Sequence, residues 1–261
     1  LFNIKVIVRS NSSPSGWYHN SFKKFIYKKI IKLADTIIVN SMDFKREMER
    51  KFSIKTICIY NPLNINEIKR KSKIPSRLNF FRNKHFKIIN IGRFTNQKDQ
   101  ITILRAANEL RKIIEFRLLI IGRGEEKTNL KKFIKVNSLN KCVKIINIQK
   151  NPYNFIKQSD VFVLSSKYEG LPNVLLEASA LNKFIISTDC PTGPREILSN
   201  GSVGLLFKIG DYEGLTKKIL LYLKNKKKFN HKIKKNKNFL NKYNFYKNLE
   251  KYLFIVKRNL D

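Results

Sequence analysis

Short β-branched runs alternate along this chain with longer stretches of helical periodicity. That alternation leaves few folds open, since it calls for parallel strands joined by helices that cover the sheet. Residues 5–8, 36–39 and 56–60 read as strands, with helices over 22–33 and 43–52 between them. Asn61-Pro62-Leu63-Asn64 then breaks the pattern, and the polar stretch 66–84, with Pro75 inside it, holds no apolar strand. A second series follows, with strands expected at 87–91, 116–121, 143–148, 161–164, 184–187 and 204–207. Helices fit between them at 98–113, 126–136, 152–157, 172–181 and 194–198, and six strands with right-handed crossovers make a complete doubly wound domain. The expected division is a partial first Rossmann-like domain at 1–70, a linker at 71–85 and a second Rossmann-like domain at 86–225. A basic segment with a terminal helix over 239–254 occupies 226–261 and crosses back toward the first domain. Residues 224–237, mostly Lys and Asn, read as a solvated loop or helix face.

With 261 residues, 42% of them hydrophobic, the chain can bury a sizeable core. It opens on a strand-like run without an initiator Met, so a first part of the N-terminal domain is expected to precede Leu1, and no targeting segment is visible. No apolar run approaches the ~18 residues of a membrane-spanning helix, which predicts a soluble or peripheral protein. Cys58, Cys142 and Cys190 are widely spaced and read as buried, reduced thiols. His19, His85 and His231 each stand alone, so no metal is predicted from them. The formal net charge of +35, from 54 basic against 19 acidic side chains, attracts polyanions of every kind. Nucleic acid, anionic lipid and phosphorylated substrates all suit such a field. The basic residues form no aromatic-interleaved platform and no helix-turn-helix signature, so no specific nucleic-acid partner is expected.

Ligands of open α/β sheets sit outside the carboxyl ends of the strands. Three loops there are unusual. Gly92-Arg93-Phe94-Thr95-Asn96-Gln97-Lys98-Asp99 leads from a strand into a helix and offers Arg93 and Lys98 beside a helix N-terminus. Backbone N–H groups, the helix dipole and two cations together suit a diphosphate, although an ordinary basic loop has the same composition. Glu169-Gly170-Leu171-Pro172-Asn173-Val174-Leu175-Leu176-Glu177 follows another strand, with Pro172 placed as a first-turn proline. Glu177 lies among Val174, Leu175, Leu176, Ala178 and Leu181, so its carboxylate needs a partner unless it sits on the solvent edge. A sugar or ribose diol supplies two hydroxyl donors at once. Thr188-Asp189-Cys190-Pro191-Thr192-Gly193-Pro194-Arg195-Glu196 makes a tight entry into a third helix and completes the pocket rim. The glycines of Gly122-Arg123-Gly124 either admit a nucleotide closely or only make the turn.

Together these loops resemble family 4 glycosyltransferases, the large retaining group with the two-Rossmann GT-B fold. Their pattern is a strand followed by G-R-x(4)-K, then A/S-D-x-F-V-x-S-S, then E-G-x-P-x-x-x-x-E. This chain has Gly92-Arg93 with Lys98, then Ser159-Asp160-Val161-Phe162-Val163-Leu164-Ser165-Ser166, then Glu169 and Glu177 with seven residues between them. The likeness is strong from about Lys87 to Gly210 and looser over Thr36 to Asn61. It implies an α/β, GT-B fold of two parallel-sheet domains, the N-terminal one incomplete. It further implies that Arg93 and Lys98 neutralise the departing pyrophosphate, that Glu169 contacts the donor sugar and that Glu177 holds the ribose. Gly92, Gly170, Leu171, Pro172, Asn173 and Val174 would complete the donor site, with Gly170 and Leu171 offering main-chain N–H groups near the phosphates. Gly122, Arg123 and Ile148 are candidates for the nucleotide wall.

No cofactor beyond the nucleotide-sugar co-substrate is implied, and no metal, because two cations and a helix dipole do for the diphosphate what a divalent ion does elsewhere. Family frequency favours a UDP-linked hexose or N-acetylhexosamine. The acceptor would be a glycan or a polyprenyl-diphosphate-linked one, in polysaccharide, lipopolysaccharide or glycan assembly on the cytoplasmic face of an anionic membrane. Where many relatives have a glycine this chain has Asn147. Relatives often carry a His near Ser10 or Asn11, and His19 is read as a surface residue instead. Two other readings are a donor-binding remnant without transfer activity and a basic polyanion-binding module.

Overall fold

The computed structural model describes residues 4–13, 20–76, 78–81 and 84–260. In the first of two parallel sheets β1 (Ile7–Ser10), β2 (Thr36–Val39) and β3 (Ile57–Cys58) lie side by side in chain order. The first strand is two residues later than expected, and His19 falls outside the described residues. Helix α1 (Ser21–Ile31) crosses from β1 to β2, and α2 (Met42–Glu47), extended by a π turn at Met48–Phe52, crosses from β2 to β3. Their common core joins Ile31, Phe44, Met48 and Phe52 to Ile37 and Val39 on one face of the sheet.

The polar stretch after Asn61 holds a helix, α3 (Ile65–Lys71), whose Asn64 side chain accepts from the Glu67 N–H. Ile68, with Leu63 and Phe81, packs into the core of the second sheet, so α3 sits with the second domain and not with the first, where the expected boundary puts it.

The second sheet contains β4 (Phe86–Ile91), β5 (Phe116–Ile121), β6 (Val143–Ile146), β7 (Val161–Leu164), β8 (Phe184–Thr188) and β9 (Leu205–Phe207), ordered β6-β5-β4-β7-β8-β9. Successive residues alternate faces, as strands require. Ile88, Leu118, Ile120, Val161 and Ile186 meet α4 (Gln100–Leu110), α5 (Lys127–Val136) and, further along, α9 (Tyr212–Lys224). Ile89, Leu119, Phe162, Leu164 and Ile185 meet α6 (Tyr153–Gln158) and α7 (Asn173–Ala180) on the other side. The short α8 (Pro194–Ile197) opens on Pro194. Strand order reverses between β4 and β7, and the crevice above that reversal is where doubly wound sheets bind ligands.

The basic tail is helical. In α10 (Lys226–Phe239) Phe229 is buried against Phe184 and Tyr222 while Lys227, Lys228, Lys234 and Lys235 are exposed, which is the helix-face alternative read from the sequence; Lys226 and Lys232 turn inward, onto Asp160 and the Gly201 carbonyl. The single terminal helix expected over 239–254 is broken by a 3-10 turn at Leu240–Tyr243. Asn244 has extended backbone and its side chain accepts from the Lys247 N–H at 3.1 Å, capping a fresh helix, α11 (Phe245–Arg258). Ile255 of α11 packs on Ile38 and Ile59, so the chain ends on the sheet with which it begins. The two passages between the sheets touch where the Leu63 N–H donates to the Tyr243 carbonyl at 2.8 Å and Tyr60 meets Tyr243 edge-on.

Candidate functional site

The loop after β4 is shaped by one buried side chain. Phe94 is fully buried, its N–H donates to the Arg123 carbonyl at 2.8 Å, and its own carbonyl accepts from the Glu126 N–H at 3.0 Å. A Cβ at Gly122 would strike the Gly92 carbonyl and one at Gly124 the Phe94 backbone. These glycines therefore seat the Gly92–Phe94 loop. Gly122 and Arg123 are not on the lining of the cleft described below, and Ile148 is an exposed residue beyond β6. At the other end of the loop Asp99 adopts left-handed backbone, which its short polar side chain tolerates, and turns the chain into α4. Helix α4 thus starts after Lys98 rather than at it, and the Gln100 side chain donates to the Arg93 carbonyl at 2.9 Å.

This loop is laced to the one after β7. The Ser165 hydroxyl donates to the Lys98 carbonyl at 2.7 Å, and the Gln97 side chain donates to the Tyr168 carbonyl at 2.8 Å. The lacing sets Lys98 against Glu169, which is 6% exposed. One oxygen of that carboxylate accepts from Lys98 Nζ at 2.5 Å and from the Ser166 hydroxyl at 2.6 Å. These donors replace the hydration that burial takes from the carboxylate. Arg93 is exposed, and among the described residues its guanidinium donates to Gln97 Oε1, at 3.3 Å.

Above these groups opens a cleft of about 560 Å³ whose lining includes Gly92, Arg93, Lys98, Glu169, Leu171, Pro172, Asn173 and Val174. Its far wall comes from the first sheet: Arg9, Asn11, Asn40 and Asn61, all at or beyond the carboxyl ends of strands. Sequence reasoning missed this wall. Arg9 Nε donates to the Tyr252 hydroxyl at 2.7 Å, Arg9 Nη2 donates to Asn61 Oδ1 at 2.5 Å, and Asn61 Nδ2 donates to Asn173 Oδ1 at 2.6 Å. The chain of bonds runs from α11 through β1 to the start of α7. Its only sequence signal is a polar residue at each strand end.

Gly170 and Pro172 hold positions somewhat different from those expected. Gly170 forms a β-bridge with Ser12, and a Cβ there would strike the Asn11 carbonyl, so this glycine admits the first sheet's loop. Pro172 is the residue before α7 and not in its first turn. The third loop lies behind Glu169 and not on the rim of this cleft. Thr192 donates its hydroxyl to the Glu169 carbonyl, while Glu196 accepts from the Asp43 N–H at 2.9 Å and the Tyr60 hydroxyl at 2.7 Å. It borders a separate cleft of about 770 Å³ with Asp43, Arg46, Glu47 and Arg50.

Glu177 is half-buried on α7 and does have a partner, the phenol of Tyr153 on α6. Burial pushes its carboxyl up to about 7, with the Tyr153 hydrogen bond opposing the rise. The phenol is itself pushed up to about 12, by burial and then by the nearby Glu177 charge, and so remains a donor. Nothing in the sequence distinguished Tyr153 from a core aromatic. Among the described residues no group of three or more His, Cys, Asp or Glu converges as a metal site.

Two parallel sheets that meet across one cleft at their strand carboxyl ends define the GT-B class of glycosyltransferase folds. Anabaena HepE, solved in complex with UDP, superposes with a TM-score of 0.83 over 97% of this chain and 72% of that one, at 16% identity. Staphylococcus aureus TarM gives 0.78 over 95% and 50%, at 18% identity. Residues 72–239 match the family glycosyl transferases group 1, and the chain belongs to it. An uncharacterized glycosyltransferase of Methanocaldococcus jannaschii is 39% identical over 217 residues, 76% of this chain and 53% of its own length. The N-acetylgalactosamine-N,N'-diacetylbacillosaminyl-diphospho-undecaprenol 4-alpha-N-acetylgalactosaminyltransferase of Campylobacter jejuni is 28% identical over 213 residues, 78% of this chain and 56% of its own. The chain spans about half the length of these curated relatives.

Proposed function

We propose that this chain carries the donor site of a glycosyltransferase that moves a hexose or N-acetylhexosamine from a nucleoside diphosphate, UDP above all, to a hydroxyl of a glycan or polyprenyl-diphosphate-linked acceptor. The observation that carries this reading is the Lys98–Glu169 pair beside Arg93 at the strand-order reversal. As the bond from the anomeric carbon to the diphosphate oxygen breaks, negative charge grows on the leaving group. Lys98 is already fixed in place and Arg93 is nearly free to swing onto the diphosphate, so little reorganisation is needed. Glu169 Oε2 is left to accept a sugar hydroxyl, and Glu177 the ribose. The acceptor proton passes to a donor phosphate oxygen and the new bond forms on the face the diphosphate leaves, with retention of configuration. This assignment of charge asks for no divalent ion, so a chelator should leave transfer unchanged. Similarity to proteins named for amylovoran and capsular polysaccharide biosynthesis supports a place in polysaccharide or glycan assembly.

Thermal stabilisation by UDP, GDP, ADP and UDP-sugars tests the donor site. A ligand at 100 times its Kd adds about 2.7 kcal/mol of stability. A shift selective for one nucleotide, lost in Lys98→Ala and Glu177→Ala, is expected. A chain that melts cooperatively and responds to none of them has no donor site.

A further inference from the structure

The first crossover helix is inside out. In a soluble helix the apolar stripe faces the core and the polar face meets water, yet on α1 the solvent face carries Phe22, Phe25, Ile26, Ile30 and Leu33, the residue just beyond its end. These side chains are 67%, 58%, 40%, 62% and 79% exposed. At 100° per residue they fall within an arc of about 140°. The opposite side holds the helix to the protein: Ile31 is buried, and Tyr27 and Lys24 pack on the ring of Phe52. Five lysines, Lys23, Lys24, Lys28, Lys29 and Lys32, accompany the stripe, and no acid occurs between Asn20 and Ala34.

We propose that this face of α1 docks on an anionic lipid bilayer. Charge complementarity selects the occupant. Lys29 projects from within the apolar arc, where a protein groove would have to bury its ammonium group. At a bilayer surface its stem lies among acyl chains while its head reaches the lipid phosphates, and Lys23, Lys28 and Lys32 do the same from the flanks. The helix leads through Leu33 into the amino end of β2, so its Phe22 end lies toward the strand carboxyl ends that line the cleft. A helix lying flat in the interface keeps the strands along the membrane plane, so docking holds the mouth of the cleft beside the surface, within reach of the lipid-linked acceptor of the reading above. The docking itself does not depend on that reading. Helix α11 also exposes Leu249, Leu253 and Val256, but it packs on Ile38 whereas α1 packs over Ile37 and Val39, on the other face of the sheet. One flat surface cannot engage both, and α11 serves as an internal control.

Co-sedimentation of the chain with vesicles of phosphatidylcholine, alone or mixed with phosphatidylglycerol, tests the proposal. Binding to the mixed vesicles only is expected. Phe22→Ser with Phe25→Ser should weaken it by about a hundredfold, roughly tenfold for each aromatic withdrawn from the interface. Lys28→Gln with Lys29→Gln and Lys32→Gln should abolish the preference for the anionic lipid, and Leu253→Ser should change nothing. The replaced side chains are exposed, so each variant should melt like the parent and keep its response to UDP. Loss of vesicle binding with the UDP response intact concerns α1 alone, and the reverse pattern concerns the donor site alone. Failure of the parent to sediment overturns the proposal, as does a double Phe variant that binds as the parent does. So does a dimer in light scattering that the double Phe variant dissolves while vesicle binding persists, since the face then belongs to a second copy.

Discussion

Replacing Glu177 by Gln isolates the energetic consequence of a half-buried carboxylate. The side-chain amide oxygen introduced by Glu177→Gln can still accept from the Tyr153 phenol, so the substitution removes the charge and little else. Burial raises this carboxyl from 4.5 to about 7, which means the folded protein holds the proton more tightly than the unfolded chain. Stability linked to Glu177 is therefore fully present below pH 4.5 and is lost as pH rises through 7. At about 1.36 kcal/mol per pH unit between those values the loss is on the order of 3 kcal/mol. Glu177→Gln should match the parent near pH 4 and exceed its melting temperature by roughly 6–10 °C at pH 8. Differential scanning calorimetry of both proteins across that range measures the difference, in which other titrating groups cancel. Ribose hydroxyls donating to the carboxylate would favour its ionised form, so UDP affinity of the parent should rise with pH through about 7 and that of the variant should stay flat. A melting difference that is constant with pH, or a variant that is less stable at pH 8, refutes the argument.

Lys98→Met leaves the buried Glu169 carboxylate without its cation and should cost about 3–5 kcal/mol, part of which Glu169→Gln restores in the double variant, as read by urea denaturation. Gly122→Ala drives a Cβ into the Gly92 carbonyl and the Phe94 ring, so a loss of about 1–3 kcal/mol is expected together with weaker UDP binding as the Arg93–Lys98 loop moves. Asn61→Ala severs the bonds from Arg9 to Asn173. It should cost about 1 kcal/mol in the melt and lower transfer more than it lowers UDP affinity, since the first sheet then holds the cleft wall less firmly.

The six strands of the second sheet were legible because parallel strands are buried on both faces and read as near-continuous apolar runs, as in Phe116–Ile121. Helix α3 was not, since its seven residues present only Ile65 and Ile68 as apolar positions and the pattern is too sparse to show a period. The break at Asn244 was hidden by composition: in a Lys/Asn-rich stretch one more Asn gives no contrast, although here it caps a helix. Lys98, Glu169 and Glu177 were singled out from motif chemistry, but the ion pair joins residues 71 apart and exists because the strand order places β4 beside β7. Arg9 and Tyr153 carried no motif and Asn61 only the end of the looser likeness, and only the meeting of the two sheets and of α6 with α7 gives them partners. The extra glycines at Gly122 and Gly124 were visible, but their purpose belongs to a neighbouring loop.

The chain passes between the sheets twice, once near Leu63 and once near Tyr243, and the two passages are hydrogen-bonded side by side. Two strands clamped together at one place act like the pin of a door. Rotation about the clamp keeps Leu63 on Tyr243 but has to part Asn61 from Asn173 and Asp43 and Tyr60 from Glu196, while sliding or twisting would tear Leu63 from Tyr243 as well. Because Ser12 and Ser13 bond to Gly170 and to the Glu169 carbonyl, a rotation that widened the cleft would pull on the acidic end of the Lys98 pair. Opening the jaws to admit or release a nucleotide and loosening the grip on its diphosphate would then be one mechanical event.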